Sequence, residues 1–385
     1  MDYLGKTQAE LEHAGGYWTA REISQQPSVW ADIERLMALG AGELRAYLEP
    51  LLRRPELRVV LTGAGTSAFV GECLAPALIG AGLEARAVAT TDLVGSPDRW
   101  LTPAAPILLV SFARSGNSPE SVAALKLAEQ ATPACHHLIV TCNREGALYR
   151  HAQSANNAHA VLLPEQTNDR GFAMTSSFSG MLLAAALGFN LLPDAPAAAL
   201  AEWAGQVLDA GPKLAAALAR ADFQRVVYLG SNECKGLARE AALKMLELSD
   251  GNVVTLAETP LGFRHGPKTI INGKTLVVMF LSNDPYVRRY ELDVLNELRA
   301  DGIAARVIAL TAGAGEHAAH ADTVALPGAA SASTLGLCFP YAVFVQVLAF
   351  LQSLRLGLRP DLPNAKGVVN RVVHGFTIHP WDPPR

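Results

Sequence analysis

The strongest constraint on the fold of this 385-residue chain is an internal repeat. The run Val59-Val60-Leu61-Thr62-Gly63 returns 167 residues later as Val226-Val227-Tyr228-Leu229-Gly230, and each copy continues into a helical pattern. A second apolar run, 108–112, is echoed at 276–280. A repeat of this length predicts two copies of one folded unit.

Within both copies, short apolar runs alternate with helical segments. Runs that are apolar on both faces are typical of a parallel sheet covered by helices on each side. The sequence therefore predicts an α/β protein with two three-layer αβα sandwiches, each built around a parallel sheet. The predicted strands cover 58–62, 85–89, 106–110, 138–141 and 160–163 in the first copy, and 226–229, 276–280, 307–310 and 323–326 in the second.

The repeat also implies domain boundaries. In the N-terminal segment, Thr19 and Glu22 have the spacing of a capping box, which predicts the start of a helix. A helical arm of this kind either wraps a neighbouring subunit or covers its own domain, and both readings stay open. We predict a helical N-terminal arm over 1–42, a first domain over 43–194, a helical connector over 195–220, a second domain over 221–359 and a C-terminal tail over 360–385.

Composition narrows the function classes. The 32 basic and 36 acidic residues give a net charge of −4, which argues against a partner that is nucleic acid or an anionic membrane. The five cysteines are scattered without CxxC spacing, which argues against a disulfide framework. The apolar runs 181–192 and 341–351 are too short to span a bilayer, and the first residues lack a signal-peptide pattern. We expect a soluble, cytoplasmic protein.

Two loops of the first copy have the composition of phosphate sites. Gly63–Ser67 and Ser111–Pro119 are rich in glycine and hydroxyl groups, and each lies between a predicted strand and a helix. Backbone N–H groups at a helix start bind anions, and Arg114 can add a cation. One such loop alone is an ordinary turn, but two in one domain favour phosphate. A third loop, around Ser176, is expected to line the same pocket. The lysine of a P-loop and the third glycine of a dinucleotide site are missing, which argues against ATP and NAD as ligands.

The second copy carries ionisable groups instead. Glu240, Lys244 and Glu247 follow each other at i, i+4 and i+7, so they share one helix face. This pattern fits either a functional cluster or a solvated salt-bridged stripe. His265 lies between an arginine and Gly-Pro in a constrained loop, and Lys366 lies in the turn-rich tail. Taken singly, each of these two residues reads as an ordinary surface group.

Four motifs in this order resemble tandem sugar-isomerase (SIS) domain proteins, from about Glu43 to the C-terminus. They are the pair of loops 65–67 and 115–118, the helix with Glu240, Lys244 and Glu247, the loop His265-Gly266-Pro267, and Ala365-Lys366. The chain is similar to the isomerase half of glucosamine-6-phosphate synthase. The resemblance implies two SIS domains and a homodimer or larger oligomer, in which the His265 loop enters the partner's site. It assigns sugar-phosphate binding to Gly65, Thr66, Ser67, Ser115 and Ser118, and catalysis to Glu240, Lys244, Glu247, His265 and Lys366. Arg114 and Ser176 join the phosphate site on their own chemistry and position.

Some features depart from the synthase. Ala113 and Arg114 replace a serine and a glutamine, so the phosphate contacts must be rearranged. The amidotransferase domain of the synthase has no counterpart in this sequence. Residues 15–22 of the arm instead resemble the tagatose-6-phosphate ketose/aldose isomerase (AgaS-type) branch, which is associated with deamination of galactosamine 6-phosphate.

This branch implies conversion of D-galactosamine 6-phosphate to D-tagatose 6-phosphate and ammonia, with the hexose phosphate held between the two domains. Without channelled ammonia, hydrolysis should be favoured over amination. The resemblance implies that His265 assists ring opening and that Glu247 transfers a proton between C1 and C2. It implies that Lys366 polarises the open-chain oxygen and that Glu240 and Lys244 orient the reacting groups.

We expect no cofactor and no metal, because no cluster has metal-ligand spacing. We read His136 and His137 as structural, because they lack acidic neighbours in sequence. Two alternatives remain open. One is a plain isomerase or a deglycase acting on another sugar phosphate, and the other is a non-catalytic sugar-phosphate sensor.

Overall fold

The computed structural model describes residues 2–101, 105–132, 134–312, 322–364, 367, 369 and 377–382. The chain divides into two compact units. The first unit, which holds the first copy of the repeat, comprises Val29–Asn168, Ser176–Leu191 and Val369–Arg385. The second unit comprises Met1–Ser28, Asp169–Thr175 and Leu192–Val368.

The N-terminal segment is mostly helical. Helix α1 starts at a true capping box, in which Thr7 Oγ1 accepts from Glu10 N at 3.3 Å and Glu10 Oε2 accepts from Thr7 N at 2.7 Å. Before the first large sheet come β1 (Asp2–Tyr3), β2 (Lys6–Thr7), α1 (Gln8–Ala14), α2 (Tyr17–Ser24), α3 (Gln26–Leu39) and α4 (Ala41–Leu52).

The predicted capping box at Thr19 and Glu22 is wrong. Helix α2 begins earlier, with Gly16 as its N-cap, so Thr19 lies inside the helix. Both side chains have distant partners instead: Thr19 Oγ1 donates to Asp361 Oδ1 at 2.7 Å, and Glu22 Oε2 accepts from Gly171 N at 3.1 Å. The spacing was correct for a cap, but tertiary hydrogen bonds use both groups.

The first unit contains a five-stranded, fully parallel sheet in the order β4-β3-β5-β6-β7. Its central strand β5 is buried along its whole length, as expected for a run that is apolar on both faces. The elements are β3 (Arg58–Thr62), α5 (Thr66–Gly80), β4 (Glu84–Ala87), α6 (Thr90–Gly95), α7 (Pro97–Trp100), β5 (Ile107–Ala113), α8 (Pro119–Ala131), β6 (Cys135–Thr141), α9 (Ala147–Ser154), β7 (Ala158–Leu162), a 3₁₀ turn (Glu165–Thr167) and α10 (Ser176–Gly188).

The second unit repeats this topology. Its parallel sheet has the order β9-β8-β10-β11-β12, which matches the first sheet strand for strand and confirms the predicted internal repeat. The elements are α11 (Ala197–Arg220), β8 (Arg225–Leu229), α12 (Glu233–Leu248), β9 (Val254–Glu258), α13 (Pro260–Phe263), a 3₁₀ turn (Pro267–Ile270), β10 (Thr275–Phe280), α14 (Pro285–Asp301), β11 (Arg306–Thr311), β12 (Thr323–Ala325) and α15 (Thr334–Arg355).

Helix α15 forms the centre of the second unit's helical layer and packs against α11 and α12. It is longer than the apolar run 341–351 that the sequence draws attention to, and its 22 residues have the length and hydropathy of a membrane span. However, 94% of its most apolar stretch is buried inside the protein. Burial of this kind is what a core helix requires.

The strand-to-helix turns after β3 and β8 match in their backbone. A Cβ at Gly63 would lie 2.7 Å from Ser67 Cβ, and one at Gly230 would lie 2.8 Å from Cys234 Cβ. Only glycine fits at either position. Two residues later the chain turns through positive φ in both copies, at Gly65 (φ 55°) and Asn232 (φ 50°).

Candidate active site

In the first unit, the loops that the sequence singles out follow neighbouring strands. Strands β3 and β5 are paired, with Thr62 opposite Ser111 at their carboxyl ends. Strand order reverses at this pair, because β4 follows β3 in sequence but lies on its far side. Ligands of open parallel sheets bind at such a switch point. The sheet therefore brings the loops after β3 and β5 to one edge.

The loop after β3, residues 63–67, leads directly into α5. Thr66 and Ser67 are the first residues of the helix and are buried. Among the described residues no side chain caps the helix. Ser67 N and Ala68 N donate to Ala64 O and Gly65 O of the turn at 3.2 and 2.9 Å. A helix start of this kind, with two hydroxyl groups beside it, suits an oxyanion.

The loop after β5, residues 114–118, is held by the loop that follows β6. Ser115 O accepts from Asn143 Nδ2 at 2.8 Å, and Asn117 Oδ1 accepts from Ala147 N at 2.9 Å. Ser118 precedes α8, which starts at Pro119 as its position in the sequence predicts. The loop is therefore rigid, and it presents a second helix start at the same edge.

Several further polar groups of the first unit are buried. Arg114 and Ser176 are buried, at the end of β5 and the start of α10. The buried hydroxyl groups of Thr62, Thr90 and Ser111 have no hydrogen-bond partner among the described residues. The sequence singles out neither Thr62 nor Thr90, because a threonine at a strand end or helix start is common. Their burial without partners marks them as candidate ligand contacts.

In the second unit, the predicted face of α12 exists. Lys244 Nζ lies 3.7 Å from Glu240 Oε1 and donates to Glu247 Oε2. Glu240 and Lys244 are buried, whereas Glu247 keeps 23% of its side chain exposed. Burial excludes the solvated-stripe alternative. A buried ion pair is expensive to desolvate, so it contributes little net stability. Buried ionisable groups of this kind are candidates for a functional site. Glu247 is the member of the cluster that solvent reaches.

The loop with His265 is anchored on both sides. Phe263 is buried in the core of the second unit, and Arg264 Nε donates to Glu297 Oε2 at 2.9 Å. Lys268 Nζ forms an ion pair with Asp301 at 2.6 Å. His265 itself is exposed between these anchors and precedes Gly266, whose φ is 118°. A fixed loop thus presents an imidazole to solvent.

Lys366 and Ala365 lie outside the described residues. The chain that leads to them is fixed at Asp361, whose carboxylate accepts from the backbone N–H groups of Trp18 and Thr19 at 3.0 and 2.8 Å. Beside this contact, burial and the neighbouring Asp169 carboxylate raise the pKa of Glu22 to about 8. The arm residues 15–22 therefore hold the start of the C-terminal tail.

One cluster in the first unit corrects an expectation. His137 does have an acidic neighbour, since Glu129 Oε1 lies 3.5 Å from His137 Nε2, and His151 lies beside both. Glu129 and His151 are eight and fourteen residues away in sequence, so spacing along the chain does not reveal the cluster. These three residues have the geometry of a possible metal site.

Comparison with known proteins agrees with this architecture. The SIS-domain family profile matches residues 51–190. Over 378 residues the chain is 46% identical to the D-galactosamine-6-phosphate deaminase AgaS of Escherichia coli O157:H7, a match that covers 96% of this chain and 97% of that protein. This chain belongs to the AgaS family of SIS-domain proteins.

Solved structures extend the comparison. The crystal structure of the tagatose-6-phosphate ketose/aldose isomerase from Escherichia coli aligns with a TM-score of 0.89 and 42% identity, covering 96% of this chain and 98% of that one. The C-terminal domain of glucosamine-fructose-6-phosphate aminotransferase from Francisella tularensis aligns with a TM-score of 0.72 over 89% of this chain and 98% of that one. At 16% identity the second match shows the fold alone. The AgaS family thus has the tandem SIS fold that the internal repeat predicts.

Proposed function

We propose that this protein is an amino-sugar phosphate deaminase and isomerase, which converts D-galactosamine 6-phosphate to D-tagatose 6-phosphate and ammonia. The observation that carries the proposal is the nearly full-length similarity to a protein named D-galactosamine-6-phosphate deaminase AgaS. Two features of the structure are consistent with it. Two loops, each leading into the start of a helix, suit a phosphate. A cluster of charged side chains on α12 is buried except for one accessible carboxylate.

The phosphate would be bound by the first unit. Backbone N–H groups at the starts of α5 and α8 donate to the phosphate oxygens, together with the hydroxyl groups of Thr66, Ser67 and Ser115 and of Ser118. Arg114, which is buried at the end of β5, neutralises charge there. Gly65 allows the positive φ that opens the first loop. Ser176, at the start of α10, completes the set of hydroxyl groups.

The second unit would supply the proton transfers. His265 assists ring opening to the aldehyde. Glu247 then removes the C2 proton and returns it to C1, while O1 gains a proton and the amino nitrogen loses one. The 2-amino aldose thereby becomes a 2-imine with a C1 hydroxymethyl group. Water adds to C2, the C–N bond breaks, and ammonia leaves the 2-ketose. Lys244 and Glu240 hold Glu247 in place, and Lys366 polarises the open-chain oxygen. Acid–base groups alone complete this sequence.

A plain aldose/ketose isomerase is the second candidate, since a solved relative is named tagatose-6-phosphate ketose/aldose isomerase. The two reactions share the C2-to-C1 proton transfer and differ in whether nitrogen leaves C2. Purified protein is therefore incubated with galactosamine, glucosamine and N-acetylgalactosamine 6-phosphates and with tagatose 6-phosphate, and both ammonia and ketose are measured. Ammonia released in equal amount to ketose from galactosamine 6-phosphate supports the deaminase. Isomerisation of neutral sugars without ammonia release supports the second candidate, and binding without turnover supports a sensor.

We also propose that the active form is a cytoplasmic homodimer or a larger oligomer. The exposed position of His265 on an anchored loop suits a residue that enters a partner's site. Inactive Glu247→Gln and His265→Asn variants are mixed under conditions that exchange subunits. If each site uses both chains, verified heterodimers regain up to half of the parental activity per site. If they stay inactive, each site is built from one chain.

A further inference from the structure

Three ligand-type side chains converge in the first unit at the edge of the sheet opposite the phosphate loops. Glu129 lies in the last turn of α8, His137 lies near the start of β6, and His151 lies in the second turn of α9. Glu129 Oε1 is 3.5 Å from His137 Nε2 and 3.4 Å from His151 Nε2, and the three ligand atoms all lie within 4.8 Å of one another. Three separate elements therefore aim donor atoms at one point.

The distances fit a shared ion better than direct hydrogen bonds. Hydrogen bonds from nitrogen to oxygen cluster at about 2.7–3.2 Å, which is shorter than both contacts. In a tetrahedral zinc site, ligand bonds of about 2.0–2.3 Å place neighbouring ligand atoms about 3.3–3.6 Å apart. Cys135 Sγ, from the first residue of β6, lies 3.5 Å from His137 Nε2. It is not one of the three mutually close ligand atoms, so it would reach a shared ion by a rotation of its side chain.

The bonding of His151 points the same way. His151 Nε2, which faces Glu129, is buried, and among the described residues it has no hydrogen-bond partner. Burial of an unpaired polar atom is unfavourable, so this nitrogen needs a partner that the described residues do not supply. A metal ion accepts the lone pair of a neutral imidazole.

We propose that Glu129, His137 and His151 bind one zinc ion per chain, with the Cys135 thiolate as the fourth ligand. Imidazole and thiolate donors select zinc over magnesium and calcium, which prefer oxygen ligands. One carboxylate and one thiolate also balance the two charges of the ion. This is a His₂CysGlu site with all four positions filled by protein, which is the pattern of a structural rather than a catalytic zinc.

The position of the site would let a bound ion hold the loop after β5 in place. Helix α9 carries His151 in its second turn, and the N–H group of its first residue, Ala147, bonds Asn117 in the loop after β5. Zinc would tie α9 to α8 and β6 and so hold the loop that binds the phosphate. We expect zinc to raise stability and to lower KM for the sugar phosphate, while leaving kcat little changed.

The test is direct. Untagged protein is stripped with a chelator and titrated calorimetrically with Zn²⁺, and a second sample is loaded with Co²⁺ for absorption spectroscopy. We expect one equivalent of zinc, a zinc-dependent rise in Tm, tetrahedral d–d bands and a thiolate-to-cobalt band. Glu129→Gln and His151→Ala should each weaken zinc binding at least tenfold. Both residues are partly exposed, so these variants should still fold.

His136→Ala is the matched control, because His136 is the next residue to His137 on β6 and lies outside the cluster. It should keep parental zinc affinity. Cys135→Ser should abolish the thiolate band. Failure to bind zinc, or equal affinity in the Glu129, His151 and His136 variants, would overturn the site. Tetrahedral cobalt bands without a thiolate band would overturn the assignment of Cys135. None of these outcomes depends on which sugar phosphate the protein uses.

Discussion

The two copies share a fold but differ in chemistry at the same topological place. After β3 in the first unit the turn is followed by Thr66 and Ser67, whereas after β8 in the second unit the equivalent positions hold Glu233 and Cys234. The backbone turns through nearly the same angles in both, at Gly65 and at its counterpart. Topology therefore sets where a ligand can bind, and the side chains decide which charge it carries.

The second unit's switch point holds a carboxyl group. A cavity of about 450 Å³ there is lined by Ser231, Asn232, Tyr286 and Glu291, among others. Burial raises the pKa of Glu291, whose Oε2 accepts from Ser282 N at 2.7 Å. Among the described residues that line this cavity none is basic, so we do not expect it to bind a phosphate. The charged cluster of the second unit lies on helix α12 instead.

The largest expected effect is at Glu247, which would show that chemistry belongs to the second unit. Glu247→Gln keeps the shape but removes the proton acceptor, and loss of a general base typically costs about 10²–10⁴-fold in rate. Turnover of galactosamine 6-phosphate and its affinity are measured against the parent. The control is Glu202→Gln, an exposed glutamate on α11. Near-parental turnover of the Glu247 variant would refute the mechanism.

The next effect concerns the buried pair on α12. Lys244→Met removes the cation from between Glu240 and Glu247, and breaking a buried pair costs about 3–5 kcal/mol in unfolding free energy. Lys235→Met, on an exposed position of the same helix, should change stability by less than about 0.5 kcal/mol. Denaturant unfolding of both variants checks this difference. If the Lys244 and Lys235 variants were equally stable, Lys244 would not form a buried ion pair on this face.

A smaller effect on substrate binding should distinguish the turn after β3 from the turn after β8. Ser67→Ala should weaken sugar-phosphate binding by about 1–3 kcal/mol, because in the proposed site its hydroxyl bonds a charged oxygen. Ser115→Ala should behave alike. Cys234 occupies the position of Ser67 in the second copy, so Cys234→Ala is the matched control and should leave KM unchanged. Weakening by the control of the same size would contradict the assignment of phosphate to the first unit.

The smallest expected effect is a change in the pH dependence of stability when Glu291 is replaced. Because burial raises the folded-state pKa of Glu291, its protonated form stabilises the fold most below the unfolded pKa of about 4.5. This contribution is lost as pH rises through the folded pKa. Glu291→Gln should therefore gain stability relative to the parent as pH rises from 4.5. Thermal unfolding across that range measures it, and a constant difference would show that the carboxyl does not titrate on unfolding.

Much of this molecule follows from pattern alone. The apolar runs predict the first sheet and four of the five strands of the second, because strands buried on both faces must be apolar throughout. Strand β9 is only partly buried, and its sequence is not an apolar run. The spacing of Glu240, Lys244 and Glu247 predicts their shared face, because helical period is a local property. Spacing does not say whether that face is buried, since burial depends on packing between elements. The structure decides that Glu240 and Lys244 are buried and Glu247 is accessible.

The wrong predictions share one cause, which is that the partners of these residues are distant in sequence. Thr19 and Glu22 have the spacing of a local cap, but their partners, Asp361 and Gly171, are distant in sequence. His137 gains an acidic neighbour only when α8 packs beside β6.

The sequence by itself determined the repeat, the parallel sheets and the residue types at each turn, because these depend on short-range order along the chain. Only the tertiary structure decided which polar groups meet across elements, because hydrogen bonds and ion pairs need atoms within a few ångströms.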